Sequence, residues 1–310
     1  MNKIMIWLKA ARLRLHILGM LPVLVGSLIA LQKTGIFRVS NFILSELITL
    51  FVLVATAFAN DYADAETDKL NKSFNDFSGG SRVIPSGLIS KKQMLTGTIV
   101  SSLISITFSL IFIVLLRGHP AILILNLFGL FIGIEYSLPP LQINYRGLGE
   151  LFVVFMYSFF CLYFGYMTQR GPELDINGLF LSIPLAISMF LMILITEVPD
   201  TESDRLSGKK TIPTIFGREV SFLIYSLGVI TLYLTIFILF FTDTIGKLTV
   251  FSLLLSLPLG FYSVIIATSK KKTSPKKISL LCMLTLLLNV WINIALSINL
   301  ASVKLPKCFL

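Results

Sequence analysis

Residues 60–72 read N-D-Y-A-D-A-E-T-D-K-L-N-K, and D-A-E-T-D-K-L-N (64–71) returns as D-T-E-S-D-R-L-S at 200–207. Nine of the sixteen carboxylates lie in these two windows: Asp61, Asp64, Glu66, Asp68 and Asp76, then Glu197, Asp200, Glu202 and Asp204. Asn60, Asp64 and Asp68 are four apart, so on one helix they form a polar stripe that climbs about 6 Å per step. Asp200 and Asp204 repeat that spacing. Asp61 and the two glutamates fall off the stripe, with Glu66 and Glu202 expected to face solvent. Each box follows an apolar run, which puts its charge at a helix C-terminus, where the backbone dipole is already negative. Like charges four apart add repulsion. Lys69, Lys72, Arg205 and Lys209 could offset this as local ion pairs on solvated helix ends. A hard divalent cation offsets it better, because carboxylate and amide oxygens suit Mg²⁺, which commonly takes one or two carboxylates plus substrate phosphates. Two facing stripes of this kind would clamp a diphosphate.

The elements that hold these boxes are membrane helices. The chain has 310 residues, 55% of them hydrophobic and 14% charged, against about a quarter charged in an ordinary soluble domain. Apolar stretches predict helices at 13–32, 42–63, 93–116, 121–138, 149–169, 178–198, 217–241, 247–269 and 279–301. Most approach the roughly 20 residues that a bilayer core requires. The fourth is short and is expected to stop at Pro139–Pro140. The fold class expected is an all-α polytopic membrane protein with nine spans, the whole of 1–310 forming one transmembrane domain. With the N-terminus in the cytosol, 19 of the 26 Lys and Arg residues fall on the inner side and 7 on the outer, as the positive-inside rule asks. Both boxes then lie on the cytoplasmic face, which in a bacterium is that of the inner membrane. The net charge of +10 is spread loop by loop, which argues against a nucleic-acid partner. Residues 28–30 make a poor signal-peptide cleavage site. Cys161, Cys282 and Cys308 have no metal or redox spacing.

With both boxes placed, the sequence resembles the UbiA superfamily of intramembrane prenyltransferases. N-D-Y-A-D-A-E-T-D is similar to its first aspartate-rich motif, N-D-x-x-D-x-x-x-D. D-T-E-S-D-R-L-S-G-K-K-T (200–211) is similar to its second. F-S-G-G-S-R-V-I-P-S-G-L-I-S (77–90), Y-S-L-P-P-L (136–141), Y-R-G-L-G-E (145–150) and A-R-L-R-L-H…L-P-V-L-V-G (11–26) extend the likeness along nearly the whole chain. Leu13 stands where a proline is usual, and Thr196 where the second motif, at 196–204, often opens with Asn; Glu197 is adjacent. E-V-P-D (197–200) with G-K-K-T (208–211) looks most like the menaquinone branch, which prenylates 1,4-dihydroxy-2-naphthoate.

The resemblance implies Mg²⁺-dependent transfer from a polyprenyl diphosphate to an aromatic acceptor, with the lipid bilayer as the medium. On this reading Asn60, Asp64 and Asp68 serve one Mg²⁺, and Asp200 and Asp204 the other. Arg82 and Lys209, then Lys91 and Lys210, are candidates for diphosphate contacts, and the same cations could instead face anionic lipid. Tyr136 is placed to face an allylic cation, or to anchor the helix at the interface. Arg12 could meet an acceptor carboxylate, or simply belong to the inner-side charge. Other acceptors remain open: 4-hydroxybenzoate, haem, a chlorophyll precursor or a lipid headgroup. A cation-coupled transporter with duplicated halves is the competing class; against it, the acids gather at the span ends and, apart from Glu46 near one end, the span interiors are almost free of charge.

Overall fold

The computed structural model describes residues 2–173, 176–270 and 273–302. Lys271, Lys272, Lys304, Lys307 and Cys308, counted above, lie outside the described residues. The described residues are mainly helical and contain no strand. In chain order the helices are α1 (Lys3–Ala10), α2 (Leu13–Thr34), α3 (Val39–Ala63), α4 (Ala65–Leu70), α5 (Lys91–Leu115) and α6 (Ala121–Glu135). Then come α7 (Gly149–Arg170), with a π turn over Phe155–Phe160, α8 (Ile176–Glu197), α9 (Thr201–Ser207), α10 (Ile212–Phe216) and α11 (Arg218–Phe241). The last are α12 (Lys247–Thr268) and α13 (Pro275–Ser302).

Eight of the described helices are long and apolar enough to cross a bilayer. The expected fourth span is α6, which ends at Glu135 after 15 residues, one turn before the proline pair. At 1.5 Å per residue it is roughly 22 Å long, shorter than a hydrocarbon core of about 30 Å. The outer surface is greasy: Phe241 is 80% exposed and Phe261 70%. Large side chains so exposed belong against lipid, and the protein is an integral, multi-pass membrane protein.

Small residues set the inner packing. A Cβ at Gly26 of α2 would run into the carbonyl of Leu162, and one at Gly165 of α7 into that of Val23. The two helices therefore cross almost backbone to backbone, and Ser27 Oγ donates across the crossing to the Gly165 carbonyl at 3.2 Å. Close approach through glycine and serine is how helices associate where lipid removes the hydrophobic drive. Buried polar pairs tie other helices together. Asn126 of α6 bonds to Ser105 and Ser109 of α5, each at 2.8 Å, and Asn289 of α13 donates to Ser188 of α8 at 2.9 Å. The largest buried cluster lies among α2, α8, α11, α12 and α13, which fixes the frame that carries the second box.

The boxes differ from the unbroken stripes the spacing suggests. α3 stops at Ala63, and Asp64 (φ −88°, ψ 6°) kinks the chain into α4. α8 stops at Glu197, and Asp200 (φ −84°, ψ −5°) caps α9. Pro199, with no N–H to give, accounts for the second break. The four-residue ladder spans both kinks: Asp68 N–H donates to Asp64 O at 2.7 Å, and Asp204 N–H to Asp200 O at 2.8 Å. Each kink turns a short helix off its span, and α4 and α9 pack against one another.

Candidate active site

The acids meet at one end of a cavity of 320 Å³. Arg12, Asn60, Asp64, Asp68, Asp200, Asp204 and Lys209 line that end, and the apolar walls run past Leu53 and Phe152 to Ile48, Leu125, Phe160 and Phe164. Lys209 joins the boxes. Its Nζ lies 2.6 Å from Asp64 Oδ2 and 3.6 Å from Asp204 Oδ1, and 5.7 Å from the centre of the Tyr145 ring. Asn60 Nδ2 donates to Asp64 Oδ2 at 2.7 Å and to Ser137 Oγ at 3.0 Å. Asp200 accepts from Asn71 Nδ2 at 2.7 Å and from the Gly79 N–H at 3.1 Å.

The 77–82 loop is wrapped onto the first box. Gly79 and Gly80 are left-handed (φ 73° and 70°), as glycine allows, and a Cβ on Gly80 would strike the Asp68 carboxylate. Asp61 faces this loop, off the stripe: it accepts from the Ser81 N–H at 3.2 Å and the Ser81 hydroxyl, and it pairs with Arg12. Arg12 is itself left-handed (φ 48°) at the joint between α1 and α2. Glu66 and Glu202 are exposed, as expected.

Electrostatics follow from burial. Burial and the neighbouring Asp64 push the Asp68 carboxyl up to about 7, with Arg12 acting against them. Burial likewise lifts Asp204 to about 7, against Lys209 and with Asp200. Burial raises Asp200, opposed by the Gly79 N–H and the Asn71 amide. Burial alone would lower Lys209, but Asp64 and Asp204 outweigh it and hold the ammonium above its ordinary value. Acids whose charged form is unfavourable, gathered round one buried cation, are a site built to receive more positive charge.

The family model of the UbiA prenyltransferases matches residues 19–293. The chain belongs to the UbiA prenyltransferase family. It is accordingly an enzyme that moves a prenyl group from a prenyl diphosphate, and membership places it among transferases rather than transporters. Among relatives of this UbiA protein, a 2-carboxy-1,4-naphthoquinone phytyltransferase of Synechocystis is 25% identical over 74% of this chain and 72% of its own. A digeranylgeranylglyceryl phosphate synthase of Korarchaeum cryptofilum is 28% identical over 84% and 85%. The fold is that of a UbiA homolog from Aeropyrum pernix (TM-score 0.71, 16% identity, 91% of this chain and 96% of that one). It is also that of an Archaeoglobus fulgidus homolog bound to DMAPP and Mg²⁺ (TM-score 0.61, 15% identity, 92% and 98%).

Of the residues singled out from the sequence, the UbiA cavity gathers Arg12, Asn60, Asp64, Asp68, Tyr136, Asp200, Asp204 and Lys209. Tyr136 caps α6, with its hydroxyl against Gly149. Arg82, Lys91 and Lys210 do not line the cavity. Arg82 donates to the main-chain carbonyl of Asp68 and lies 4.2 Å over the Phe74 ring, so it braces the loop instead of reaching inward. Lys91 pairs with Glu66 at 3.4 Å on the surface. Lys210, next in chain to Lys209, is exposed. Thr196 and Glu197 both line the cavity, but the Thr196 hydroxyl donates back to Met192 and Ile193 at 3.0 and 2.9 Å.

Sequence reasoning passed over Asn71, Gly79 and Glu150. Asn71 stands in the D-K-L-N of the first box, where the echo has Ser207, and that inequality was the available signal. Glu150 accepts the Ile212 N–H at 2.6 Å, which ties α7 to the segment carrying Lys209. Nothing in its spacing from either box announces that contact.

Proposed function

We propose that the protein transfers a polyprenyl group from polyprenyl diphosphate to an aromatic acceptor, 1,4-dihydroxy-2-naphthoate, with Mg²⁺, as a step in making menaquinone. The observation that carries this is the position of Lys209 between Asp64 and Asp204 at the polar end of an apolar cavity. A diphosphate head seats at the charged end while its hydrocarbon lies along the walls. The Synechocystis relative, named for phytyl transfer to a carboxynaphthoquinone, supports the acceptor, as do the E-V-P-D and G-K-K-T stretches.

The residues fit a hard cation. Asp64 Oδ1 is buried with no hydrogen-bond partner, and two of the neighbouring carboxyls are lifted to about 7. Among the described residues no three His, Cys, Asp or Glu side chains converge to hold a metal alone. The protein would then contribute few ligands per ion and leave the rest to phosphate and water, which is how magnesium is usually held. Asn60, Asp64 and Asp68 would hold one ion, and Asp200 and Asp204 the other. Bound Mg²⁺ supplies charge neutralisation for the departing diphosphate.

The chain's own groups do the rest. Lys209 turns its ammonium from the two carboxylates toward diphosphate oxygens and stabilises the charge that builds on them. Asn71 and the Gly79 N–H hold Asp200 in place. The Tyr136 ring at the wall faces the allylic carbon, where an electron-rich face stabilises developing positive charge. The apolar walls keep water from that carbon. The acid-rich end faces the cytosol of the cell's inner membrane, in line with the distribution of Lys and Arg.

A second reading has its own support: the Korarchaeum relative aligns over more of both chains, which favours the lipid-headgroup acceptor. The test is a membrane assay with labelled polyprenyl diphosphate, Mg²⁺ and a panel of acceptors, followed by mass analysis of the lipid product. Prenylated naphthoate supports the first reading, and a prenylated glycerophosphate supports the second. Labelling of a cysteine placed at Asn75 from the outer side alone would overturn the orientation.

A further inference from the structure

Two polar atoms on the cavity wall have no hydrogen-bond partner although both are buried: Arg12 Nε and His16 Nε2. Both residues line the cavity. They stand four apart, one helical turn of about 6 Å, at the start of α2. The side chains differ in what they offer. Arg12 already gives its NH2 group to Asp61, with Asn60 Oδ1 at 3.4 Å, and Nε–H is a donor left over. His16 is 4% exposed, and with its ring proton on Nδ1 the imidazole presents Nε2 as a lone-pair acceptor.

A buried unpaired donor and a buried unpaired acceptor each destabilise a fold. Side by side on the wall of a binding cavity, they form a complementary couple. Gly19, three residues past His16, keeps this stretch of wall close, since a Cβ there would press on Leu53 and Tyr157. A flat ring can lie against that surface with its polar edge toward α2.

We propose that Arg12 and His16 form the acceptor-recognition site, with Arg12 Nε–H donating to a carboxylate and His16 Nε2 accepting from a hydroxyl on the neighbouring ring carbon. The ligand class is an aromatic ortho-hydroxy acid. The assignment deepens the aromatic-acceptor reading and rests on it. Neither residue takes part in diphosphate departure in this scheme. His16 sets acceptor affinity and selectivity, and the donor end of the cavity works without it.

The experiment uses purified full-length protein in proteoliposomes with polyprenyl diphosphate, Mg²⁺ and three probes: 1,4-dihydroxy-2-naphthoate, its 1-O-methyl ether, and 1,4-dihydroxynaphthalene, which lacks the carboxylate. Wild type should prefer the first probe over each of the others by tenfold or more in kcat/KM. His16→Leu should raise the acceptor KM about tenfold, lose the preference over the methyl ether, and keep the preference over the decarboxylated probe. The KM for polyprenyl diphosphate should not move. His16→Gln, which keeps an acceptor oxygen, should recover part of the loss. An unchanged acceptor KM and unchanged selectivity in His16→Leu overturn the site. A wild type that prenylates none of the aromatic probes overturns the aromatic reading instead, and does so without any variant.

Discussion

In the first acidic box the flanking amides reach outward. Asn60 holds Asp64 of its own box, and Asn71 holds Asp200 of the other. In the second box the matching positions are Thr196 and Ser207, and both hydroxyls fold back onto their own helix, Ser207 onto the Asp204 carbonyl at 3.0 Å. The second box supplies the cation instead: Lys209 crosses to Asp64. The exchange is reciprocal, with an amide going one way and an ammonium the other. The next position carries the contrast further. Asp61 is matched with Arg12 and Ser81, whereas its counterpart Glu197 has a buried Oε2 with no hydrogen-bond partner. Near-identical sequences thus make different contacts: the first box sends an amide that orders its neighbour, and the second sends an ammonium back across.

The division can be broken most severely at the carboxylates. Asp64→Asn and Asp200→Asn should each lower Mg²⁺-dependent transfer by about 10²–10³-fold or more, the scale of losing one charge-stabilising group in a dry site. Both variants should still insert in the membrane. Radiolabel transfer measured on equal amounts of membrane-inserted protein decides it, and full activity in both variants would sink the clamp. Next in size is the bridge between the boxes. Lys209→Gln removes the positive partner from two buried acids, so about 100-fold should be lost in transfer. Donor KM should rise with it, because the ammonium meets the diphosphate in the ground state as well. A Lys209→Gln enzyme with wild-type donor KM would confine Lys209 to holding the boxes together.

A smaller effect tests the asymmetry directly. Asn71→Ala leaves one Asp200 oxygen without its amide and should cut kcat/KM roughly tenfold, about 1.4 kcal/mol. Ser207→Ala removes a hydroxyl that bonds only to its own turn and should stay within about twofold. Equal losses at the two positions, in the same steady-state assay, would show the boxes to be equivalent and the comparison above to be mistaken.

The repeat, its place at the ends of apolar spans and the gathering of Asn60, Asp64, Asp68, Asp200 and Asp204 round one cavity could be read from spacing, because four-residue steps and bilayer-length runs are local properties of the chain. Lys209 was legible for a similar reason: it follows the second box by five residues. Arg82 was not, because its direction depends on a left-handed backbone (φ 65°) and on where Phe74 comes to lie. Lys91 and Lys210 sit in basic stretches where only tertiary contacts separate an inward side chain from an outward one. The kinks at Asp64 and Asp200 had one local sign between them, Pro199. Asn71 looked like one more polar residue at a helix end, since its partner Asp200 is 129 positions away. Long-range pairing of this kind leaves no periodicity to find.

The smallest change asks whether the second box is weaker because of Thr196. Its hydroxyl is spent on its own helix, at 3.0 and 2.9 Å from the Met192 and Ile193 carbonyls, so it offers little to an ion beside Asp200. Asn60, at the matching place, bonds to Asp64 one turn on. Thr196→Asn would give the second box the same amide, four residues before Asp200, on a side chain that already lines the cavity. The two boxes should then become more alike: the Mg²⁺ concentration for half-maximal transfer should fall about two- to threefold, with kcat nearly unchanged. Asn60→Thr is the reverse exchange and should raise that concentration, since it also strips a hydrogen bond from Asp64. If Thr196→Asn leaves the Mg²⁺ dependence where it was while Asn60→Thr shifts it, the ligand deficit lies elsewhere in the second box, and Glu197, beside Thr196 on the wall and with its Oε2 unpartnered, becomes the residue that makes it up.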